Sequence, residues 1–321
     1  MRMTRENFWR HTNVSAITHV GFLGLGNMGA AMAMRLIQPE SKVHVFDLNP
    51  AAVAQLVEAG AIAHTSPRSV ADSADVVMAC LPSIDACEAA IFGPEGVAAG
   101  KAVHTYVEMS TIGPTAVSSI AKRLADNRIV TIDAPVSGGP SAARAGTLSI
   151  MVAGSSDDIA RAMPWLGHIA KTLHKIGDRP GQAQAMKLVN NIMLAANMAV
   201  ASEALAMGAK AGLDADAMID VIKSSTGQSA AADILARFAI PAAFDFGAHI
   251  SIVAKDVELA IAEARALDVP VPVLDQARSL WHAALEQGRG GDDFTSIIKL
   301  VEARSNVLVR GAPRPTGAKA S

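Results

Sequence analysis

A lysine and two asparagines stand near the start of a segment that is otherwise almost entirely apolar. The segment "AMKLVNNIMLAANMAVASEALAMGAKAG", residues 185–212, is rich in Ala, Met, Leu and Val, which is typical of a long helix. Lys187 and Asn191 are four residues apart and therefore project from the same helical face, one turn apart. Because burying an unpaired charge is costly, Lys187 either extends its amine to solvent, is paired, or takes part in chemistry.

A glycine-rich turn is the second feature with chemical meaning. The segment "GLGNMG" places Gly24, Gly26 and Gly29 in the G-x-G-x-x-G pattern, with Asn27 and Met28 between them, after an expected strand and at the start of an expected helix. In that context the glycines permit a tight turn, a close approach of the backbone to a pyrophosphate, and close packing of helix on strand. The N–H groups at the helix start would bind the phosphates. The pattern predicts a dinucleotide-binding site.

An acidic residue follows at the spacing that ribose recognition requires. The second expected strand ends in Asp47, eighteen residues beyond Gly29. A carboxylate there can hydrogen-bond both ribose hydroxyls and would repel a 2′-phosphate. Asp47 therefore favours NAD over NADP. The alternative is that Asp47 only caps the turn "DLNP".

Other expected strands end in residues that suit ligand contacts, because ligands of open α/β sheets bind at the carboxyl ends of strands. These residues are Leu81 and Pro82, Ser110 and Thr111, and Ser137, Gly138 and Gly139. For the first pair, plain loop structure is nearly as good an interpretation as a cofactor contact. In "SGG", a hydroxyl beside two consecutive glycine N–H groups forms a small nest suited to a carboxylate.

Lys187 suits proton transfer next to a hydroxyl or carbonyl group. A free lysine titrates near about 10.4, and burial or a neighbouring positive nicotinamide ring lowers such a pKa. The lysine could then act as a general acid or base, or stay charged and stabilise a developing alkoxide. The sequence does not separate these mechanisms. Asn191 would orient the substrate.

Competing dehydrogenase chemistries lack the residues they need. The single tyrosine, Tyr106, is followed four residues later by Ser110, so a Tyr-x-x-x-Lys dyad is absent from the sequence. The nine histidines and two cysteines form no zinc-binding pattern, so no metal is expected. Lys187 remains the best catalytic candidate.

Composition limits the partners and the compartment. A formal net charge of −2 gives no reason to expect nucleic acid or an anionic membrane as a partner. Two cysteines are too few for a disulfide framework and favour a reducing compartment, so we expect a cytoplasmic protein. The N-terminus lacks the apolar core of a secretory signal. The helix at 185–212 is long enough for a membrane span, but its polar residues favour burial in protein.

Two patterns follow one another along the 321 residues. From about residue 17 to 177, short apolar segments alternate with helical patterns, which predicts a Rossmann-type, doubly wound, mostly parallel sheet. After Gly181 the helical segments are 182–211, 214–224, 229–239, 249–267, 273–287 and 292–308. We therefore predict an α/β fold with an N-terminal extension (1–18), a dinucleotide-binding domain (19–181), an all-α substrate and oligomerisation domain (182–308) and a disordered tail (309–321).

Five segments together resemble a known family. They are "VGFLGLGNMG" at 20–29, "DAPVSGG" at 133–139, "GTLSIMVAG" at 146–154, "KLVNN" at 187–191 and "KDVELA" at 255–260. Occurring in this order, they resemble the β-hydroxyacid dehydrogenase family, which includes 3-hydroxyisobutyrate dehydrogenases and tartronate semialdehyde reductases. The resemblance covers roughly residues 19 to 308.

On the substrate side, the resemblance implies a role for each matching residue. Lys187 would be the catalytic lysine and Asn191 a substrate-orienting amide. The substrate carboxylate would be held by Ser137, Gly138 and Gly139.

On the cofactor side, the resemblance adds contacts to those of the glycine turn. Thr111 and Lys255 would contact the cofactor near its nicotinamide end, and Leu81 with Pro82 would flank the adenine side. Without the resemblance, Lys255 would be interpreted as an exposed helical lysine followed by Asp256.

Three positions depart from the family pattern. The usual Gly-x-Gly ahead of the lysine is "GQA" at 181–183, Glu108 replaces the commoner Asp before "MST", and Ala248 stands where relatives often have an aromatic residue. The first two changes are conservative, whereas the third would enlarge or reshape the pocket.

The implied activity is NAD-dependent oxidation of a small 3-hydroxy acid at C3 to its semialdehyde. "GTLSIMVAG" and "SEAL" look more like tartronate semialdehyde reductases, while "KLVNN" and "SSTGQS" look more like the hydroxyisobutyrate enzymes, so the acid itself stays open. Two alternatives are an imine reductase, which usually replaces the lysine, and a catalytically silent dinucleotide-binding protein.

The apolar helix also predicts self-association. About 28 residues of helix span roughly 42 Å, and one domain can hardly cover a helix that is apolar nearly all round. A partner subunit would cover it, which predicts a homodimer or homotetramer.

Overall fold

The computed structural model describes residues 2–4 and 18–311. The chain forms two compact units, Met1–Leu188 and Val189–Ser321. The first unit is built on a β-sheet with helices, and the second is built from helices. This confirms the predicted α/β fold class, a Rossmann-type sheet followed by an all-α part. The domain boundary expected at 181/182 stays a prediction.

In the described part of the chain, ten strands form one sheet. They are β1 (Arg2–Thr4), β2 (Thr18–Leu23), β3 (Ser41–Phe46), β4 (Ile62–Ala63), β5 (Val76–Ala79), β6 (Thr105–Glu108), β7 (Val130–Asp133), β8 (Val136–Ser137), β9 (Leu148–Ala153) and β10 (Ala170–Gly177). Their order across the sheet is β1-β10-β9-β7-β6-β5-β2-β3-β4, with β8 paired to β9.

Strand direction follows the predicted doubly wound pattern. In the part of the sheet ordered β7-β6-β5-β2-β3-β4, all neighbouring strands are parallel, and β9 is parallel to β10. The antiparallel pairs are β1 with β10, β7 with β9, and β8 with β9. The sequence patterns did not predict β1, β4 or β8, because two or three residues are too few to show an alternating pattern.

Helices cover both faces of the parallel strands. In the first unit they are α1 (Asn27–Leu36), α2 (Pro50–Glu58), α3 (Pro67–Ala71), α4 (Ile84–Phe92), α5 (Pro114–Ala125), α6 (Gly139–Ala145) and α7 (Ser156–Ile169). The strand β5 shows why its sequence is continuously apolar. Val76 and Met78 belong to the core on one face of the sheet, and Val77 and Ala79 to the core on the other.

Local sequence sets where these helices begin. Asn49 accepts a hydrogen bond from the N–H of Ala51 at the start of α2, and Ser83 accepts one from Ala86 at the start of α4. Such caps satisfy amide groups that have no partner inside the helix. Pro50 supplies the backbone geometry that suits a first helical position.

The second unit packs a group of helices around its own core. Its helices are the later part of α8 (Gln182–Lys210), then α9 (Ala215–Ser224), α10 (Ala230–Ile234) with a π-helical turn (Leu235–Ala239), α11 (Ile250–Ala266), α12 (Pro272–Glu286) and α13 (Ile298–Ser305). The fully buried Trp281 anchors this core and donates from Nε1 to the carbonyl of Ala195 at 3.3 Å. These bounds agree with the expected helical segments within one residue, except for the last segment, expected over 292–308, where a 3-10 turn (Phe294–Ile297) precedes α13.

Helix α8 belongs to both units, since they divide after Leu188. By length and composition it could cross a membrane, with a mean hydropathy of 1.5 over its most apolar window, of which 39% is buried. Core helices of water-soluble proteins have the same composition. The buried Lys187 near its start and the buried Ser202 in its middle favour a core helix here.

Two predictions concern the ends of the chain: an N-terminal extension (1–18) and a disordered tail (309–321). Residues 1 and 5–17 of the expected N-terminal extension, and residues 312–321 of the expected disordered tail, lie outside the described residues. At the start of that tail, Val309 is buried and donates to Glu302 Oε1 at 2.8 Å, and Arg310 contacts the same carboxylate.

Candidate active site

The carboxyl ends of the parallel strands lie along one edge of the first unit. The chain leaves β2 toward β3 and β4 on one side, then crosses to β5, β6 and β7 on the other, so the strand order reverses between β2 and β5. Ligands of doubly wound sheets bind at this switch point. The loops there extend the strand pairing, since Gly24 donates to Phe46 and Cys80 donates to Leu23 through their backbones.

The glycine turn has the shape that a pyrophosphate requires. Gly26 caps α1 without a side-chain hydrogen bond in the described structure, and the first turn of α1 carries no acidic residue. A methyl group added at Gly26 would meet no atom within 4 Å, whereas one at Gly29 would overlap the carbonyl oxygen of Gly24. The helix start is therefore open toward the sheet edge, and α1 lies tightly against the turn. These residues fit a bound dinucleotide.

Asp47 follows β3 directly, beside the glycine turn. Its Oδ2 accepts from the backbone N–H of Leu25, and its Oδ1 accepts from that of Asn49 at 2.7 Å. The second bond is the turn cap considered as the alternative, and the first ties the carboxylate to the glycine turn. Each oxygen keeps a further lone pair for a ribose hydroxyl. Ribose binding by Asp47 stays a prediction.

A buried carboxylate organises the loops after β5 and β6. Leu81 donates its N–H to Ser110 Oγ at 2.8 Å, and Ser110 donates its own N–H to Glu108 Oε1 at 2.8 Å. The Tyr106 hydroxyl donates to the other Glu108 oxygen at 2.8 Å. Burial raises the pKa of the Glu108 carboxyl, and the hydrogen bonds from Ser110 and Tyr106 oppose that shift. Thr111, directly after Ser110, is half-buried in this loop.

The "SGG" segment forms a turn between β8 and α6. Gly138 and Gly139 have φ angles of +133° and +74°, which side chains other than glycine rarely adopt. Ser137, the last residue of β8, pairs with Ser149 of β9 and is half-buried. Gly138 is the N-cap of α6, and in the described structure no side chain caps it. This geometry is consistent with the expected carboxylate nest.

Asp133, at the end of β7, holds the start of α8. Its Oδ2 accepts three backbone N–H groups, from Gly181 at 2.8 Å, Ala183 at 3.0 Å and Gln184 at 3.1 Å. Burial raises the pKa of Asp133 to about 6, and the hydrogen bonds from Gln184, Gly181 and Ala183 act against that increase. The first turn of the helix is thus fixed to the sheet edge.

Lys187 follows one turn later on α8 and is only 8% exposed. This burial argues against an amine extended into solvent, the first of the three alternatives for this lysine. Leu188, next to it, is also buried. A buried amine on a helix anchored at its first turn has a well-defined position, as a proton-transfer group requires.

In the second unit, Asp256 brings two predicted site residues together. Asn191 donates from Nδ2 to Asp256 Oδ2 at 2.6 Å, and Asn190 donates to Asn191 Oδ1 at 3.1 Å. Lys255 Nζ lies 2.9 Å from Asp256 Oδ1. Within the described structure that oxygen meets no donor at hydrogen-bonding angles, so the contact is an ion pair without a hydrogen bond. Asp256 itself is buried.

Sequence reasoning missed the residues that hold the site residues in place. In the first unit these are Glu108, Asp133 and Gln184, and in the second Asp256. Asp133 and Asp256 lie in quoted motifs, and Glu108 is one of the three departures from the family pattern, but nothing in the sequence assigned any of the four a supporting role. Among the described residues, no cluster of His, Cys, Asp and Glu could hold a metal ion.

The parallel sheet, the switch point and the open glycine turn define a dinucleotide-binding protein. Two family models agree: the NAD binding domain of 6-phosphogluconate dehydrogenase matches residues 19–177, and the NAD-binding domain of NADP-dependent 3-hydroxyisobutyrate dehydrogenase matches residues 181–301. The cofactor of this chain is NAD, and NADP-dependent relatives exist.

Individual relatives match over nearly their full length. The 2-(hydroxymethyl)glutarate dehydrogenase of Eubacterium barkeri is 36% identical, over 91% of this chain and 97% of the relative. The 3-hydroxyisobutyrate dehydrogenase of Pseudomonas aeruginosa is 37% identical, over 90% and 100%. A crystal structure of 3-hydroxyisobutyrate dehydrogenase from Salmonella typhimurium has a TM-score of 0.80 at 30% identity, covering 88% of this chain and 99% of that one.

The chain belongs to the β-hydroxyacid dehydrogenase family, as its motifs predicted. It is an oxidoreductase, an NAD-binding dehydrogenase of hydroxy acids.

Proposed function

We propose that the protein interconverts a small 3-hydroxy acid and its semialdehyde, with NAD as hydride acceptor and Lys187 as the proton-transfer or alkoxide-stabilising group. The observation that carries this proposal is the burial of Lys187 on a helix whose first turn is fixed by Asp133. Burial and the anchored first turn support the proposal because they hold the amine in a defined position, as a proton-transfer group requires.

Cofactor binding rests on the turn after β2. Gly24, Gly26 and Gly29, with Asn27 and Met28 between them, form the open end of α1 that would hold the pyrophosphate. NAD, when bound, supplies the hydride acceptor. The carboxylate of Asp47 would bind the ribose hydroxyls and disfavour the 2′-phosphate of NADP.

Further cofactor contacts are proposed for four residues outside the glycine turn. Leu81 and Pro82 would flank the adenine side, with Leu81 held in place by Ser110. Thr111 and Lys255 would contact the nicotinamide end. The ion pair between Lys255 and Asp256 supports this role, because it restricts where the ammonium can lie.

Substrate recognition needs a carboxylate site and a hydroxyl site. Ser137, Gly138 and Gly139 would hold the carboxylate through the hydroxyl and backbone N–H groups. Asn191, oriented by Asp256, would donate to or accept from the reacting oxygen. The two relatives' named substrates, 2-(hydroxymethyl)glutarate and 3-hydroxyisobutyrate, both carry a CH2OH group on the carbon that bears a carboxylate. We propose the same unit for this enzyme's substrate.

Lys187 has two possible tasks at the hydroxyl. A neutral amine would accept the hydroxyl proton at Nζ as the hydride leaves C3, and return it in the reverse reaction. A charged ammonium would instead stabilise the alkoxide that forms. Both tasks place Nζ within hydrogen-bonding distance of the substrate oxygen, and both fail without the amine.

The outer face of α8 supports assembly with a second copy. Met193, Val200 and Met207 are 60%, 61% and 74% exposed and are spaced by seven residues, so they form one apolar stripe along the helix. Covering the stripe with the same stripe of a second chain would bury it in a homodimer, or in a homotetramer of two such dimers. Light scattering that shows a stable monomer would contradict this proposal. We also propose a cytoplasmic location.

The experiment that tests the proposed function is a substrate panel. NADH formation would be followed at alkaline pH with 3-hydroxyisobutyrate, glycerate, 3-hydroxypropionate, L-serine, threonate and 4-hydroxybutyrate, each with NAD and with NADP. Turnover of a 3-hydroxy acid with NAD is expected. Tight NAD binding without turnover of any acid would contradict the proposal and favour an imine substrate or a silent binding protein.

A further inference from the structure

Gln184, in the first turn of α8, makes as many side-chain hydrogen bonds as an amide can. The residue is fully buried. Its Oε1 accepts from the backbone N–H groups of Ile112 at 3.0 Å and Gly113 at 3.1 Å. Its Nε2 donates to the carbonyl of Ser110 at 2.9 Å and to Asp133 Oδ1 at 3.2 Å. Two acceptor and two donor bonds exhaust the capacity of the group.

These four bonds join three separate segments of the first unit. The partners lie in the loop after β6, at the end of β7, and, through Asp133, at the first turn of α8 itself. The loop partners stand on both sides of Thr111, since Ser110 precedes it and Ile112 follows it. The amide therefore holds the backbone around Thr111 from the helix that carries Lys187.

The orientation of the amide is fixed by its surroundings. Turning it over would point the NH2 group at two N–H donors and the oxygen at a carbonyl and a carboxylate. All four contacts would then become repulsive, and buried polar groups without partners are costly. The loop and the helix therefore have one mutual position in which every group is satisfied.

We propose that Gln184 is a positioning residue that sets the cofactor loop around Thr111 against the helix bearing Lys187. The inference rests on the proposed function, in which Thr111 contacts the nicotinamide end and Lys187 the reacting oxygen. Hydride transfer needs the two reacting carbons at close approach, and a misplacement of about 1 Å can lower the rate about 100-fold. Gln184 acts through these two residues and does not itself touch the substrate.

Gln184→Met tests this, because methionine keeps the length of the side chain and removes all four hydrogen bonds. The measurement is the single-turnover rate of NADH formation, with saturating NAD and the best acid of the panel, divided by the concentration of NAD-binding sites. We expect this rate per site to fall about 100-fold, with the NAD dissociation constant changed by less than about threefold.

The chain offers a matched control in the same helical turn. Gln182 is exposed, and its Oε1 accepts a hydrogen bond from the backbone N–H of Arg179 at 3.0 Å. Gln182→Met should leave the rate per site within about twofold of wild type. A general effect of changing glutamine to methionine at the start of α8 would appear in both variants.

A second pair of variants decides the matter if Gln184→Met does not fold. In Gln184→Glu a carboxylate oxygen replaces the NH2 group and faces Asp133 Oδ1 across the 3.2 Å contact, so that two acceptors oppose each other. Adding Asp133→Asn supplies a donor at that contact again. The doubly substituted enzyme should exceed Gln184→Glu in rate per site by at least about fivefold, a coupling of the size that neighbouring hydrogen-bonded groups show.

The outcomes separate this inference from the proposed function. If substitution lowers only the number of NAD-binding sites and the rate per site stays at the wild-type value, Gln184 is merely structural and the inference is wrong. That result leaves the proposed function intact, provided that wild type turns over a hydroxy acid and Lys187→Ala does not. If wild type turns over no hydroxy acid, both proposals fail together.

Discussion

The carboxylate of Asp133 should make the folded enzyme less stable at neutral pH than it is in mild acid. Burial raises its pKa to about 6 in the folded chain, against about 3.9 in an unfolded one. Between those values the folded protein holds a proton that the unfolded chain has lost, so stability from this group falls as pH rises from about 4 to 6. The full cost, reached above pH 6, is about 3 kcal/mol, since each pKa unit corresponds to about 1.4 kcal/mol.

Asp133→Asn removes that pH dependence. The side-chain oxygen of asparagine can still accept the three N–H groups at the start of α8, but the side chain does not ionise. Melting temperatures of wild type and variant would be compared by circular dichroism from pH 4.5 to 7.5. For a unit of this size, about 1 kcal/mol shifts the melting temperature by about 2–4 °C. About 1 kcal/mol of the cost is already present at pH 4.5, so the variant should gain about 4–8 °C on wild type across the range, with no further change at higher pH.

Other titrating groups affect the melting temperatures of wild type and Asp133→Asn equally, so their effect cancels when the two temperatures are subtracted. Asp178→Asn is the control, because Asp178 is exposed and its pKa is lowered by the hydrogen bond and the charge of Lys175. Its removal should give at most a small change, of opposite sign. A melting-temperature difference for Asp133→Asn that is constant with pH would refute the reasoning. So would a difference that moves in favour of wild type as pH rises, because that would mean the three N–H groups hold the pKa below its ordinary value.

Three further substitutions test other parts of the account. Asp47→Ser should raise the KM for NAD about tenfold and allow turnover with NADP, because the charge that disfavours the 2′-phosphate is gone. Initial-rate kinetics with both cofactors measures this effect. An unchanged preference for NAD would contradict it. Asp256→Ala should lower kcat/KM for the acid at least about tenfold, because Asn191 loses the partner that orients it. Kinetics that match wild type would show that the Asn191–Asp256 hydrogen bond does not contribute to catalysis. Met193→Glu should shift the protein to monomers in analytical ultracentrifugation, because it places a charge in the apolar stripe of α8. Val221→Glu, at a position 63% exposed on another helix, should not have this effect. Identical sedimentation of the two variants would count against the stripe as an interface.

Much of the fold could be predicted from the sequence because its elements have strong periodic patterns. Apolar strands such as β5, glycine turns and long helical segments each leave a local pattern, and their alternation implies a doubly wound sheet. The strands β1, β4 and β8 could not be predicted, since two or three residues carry no periodicity. Their pairing depends on the surrounding sheet.

The candidate site divides in the same way. Gly24, Gly29 and Asp47 stand in one short βαβ unit, so their spacing alone predicts a dinucleotide site. The support of Lys187 could not be predicted, because Asp133 lies 48 residues before the first amide that it accepts, and Gln184 lies 72 residues after Ile112. Contacts between a side chain and a distant backbone leave no pattern in one sequence.

The most direct test of the central claim is the rate of hydride transfer in Lys187→Ala. A single-turnover measurement of NADH absorbance would use saturating NAD and the best acid of the panel, with NAD binding measured separately. The account predicts a loss of about 100-fold to 10,000-fold, the usual range for removing a proton-transfer group, while the NAD dissociation constant changes by less than about threefold. A variant that keeps most of the wild-type rate would show that Lys187 is not the catalytic group.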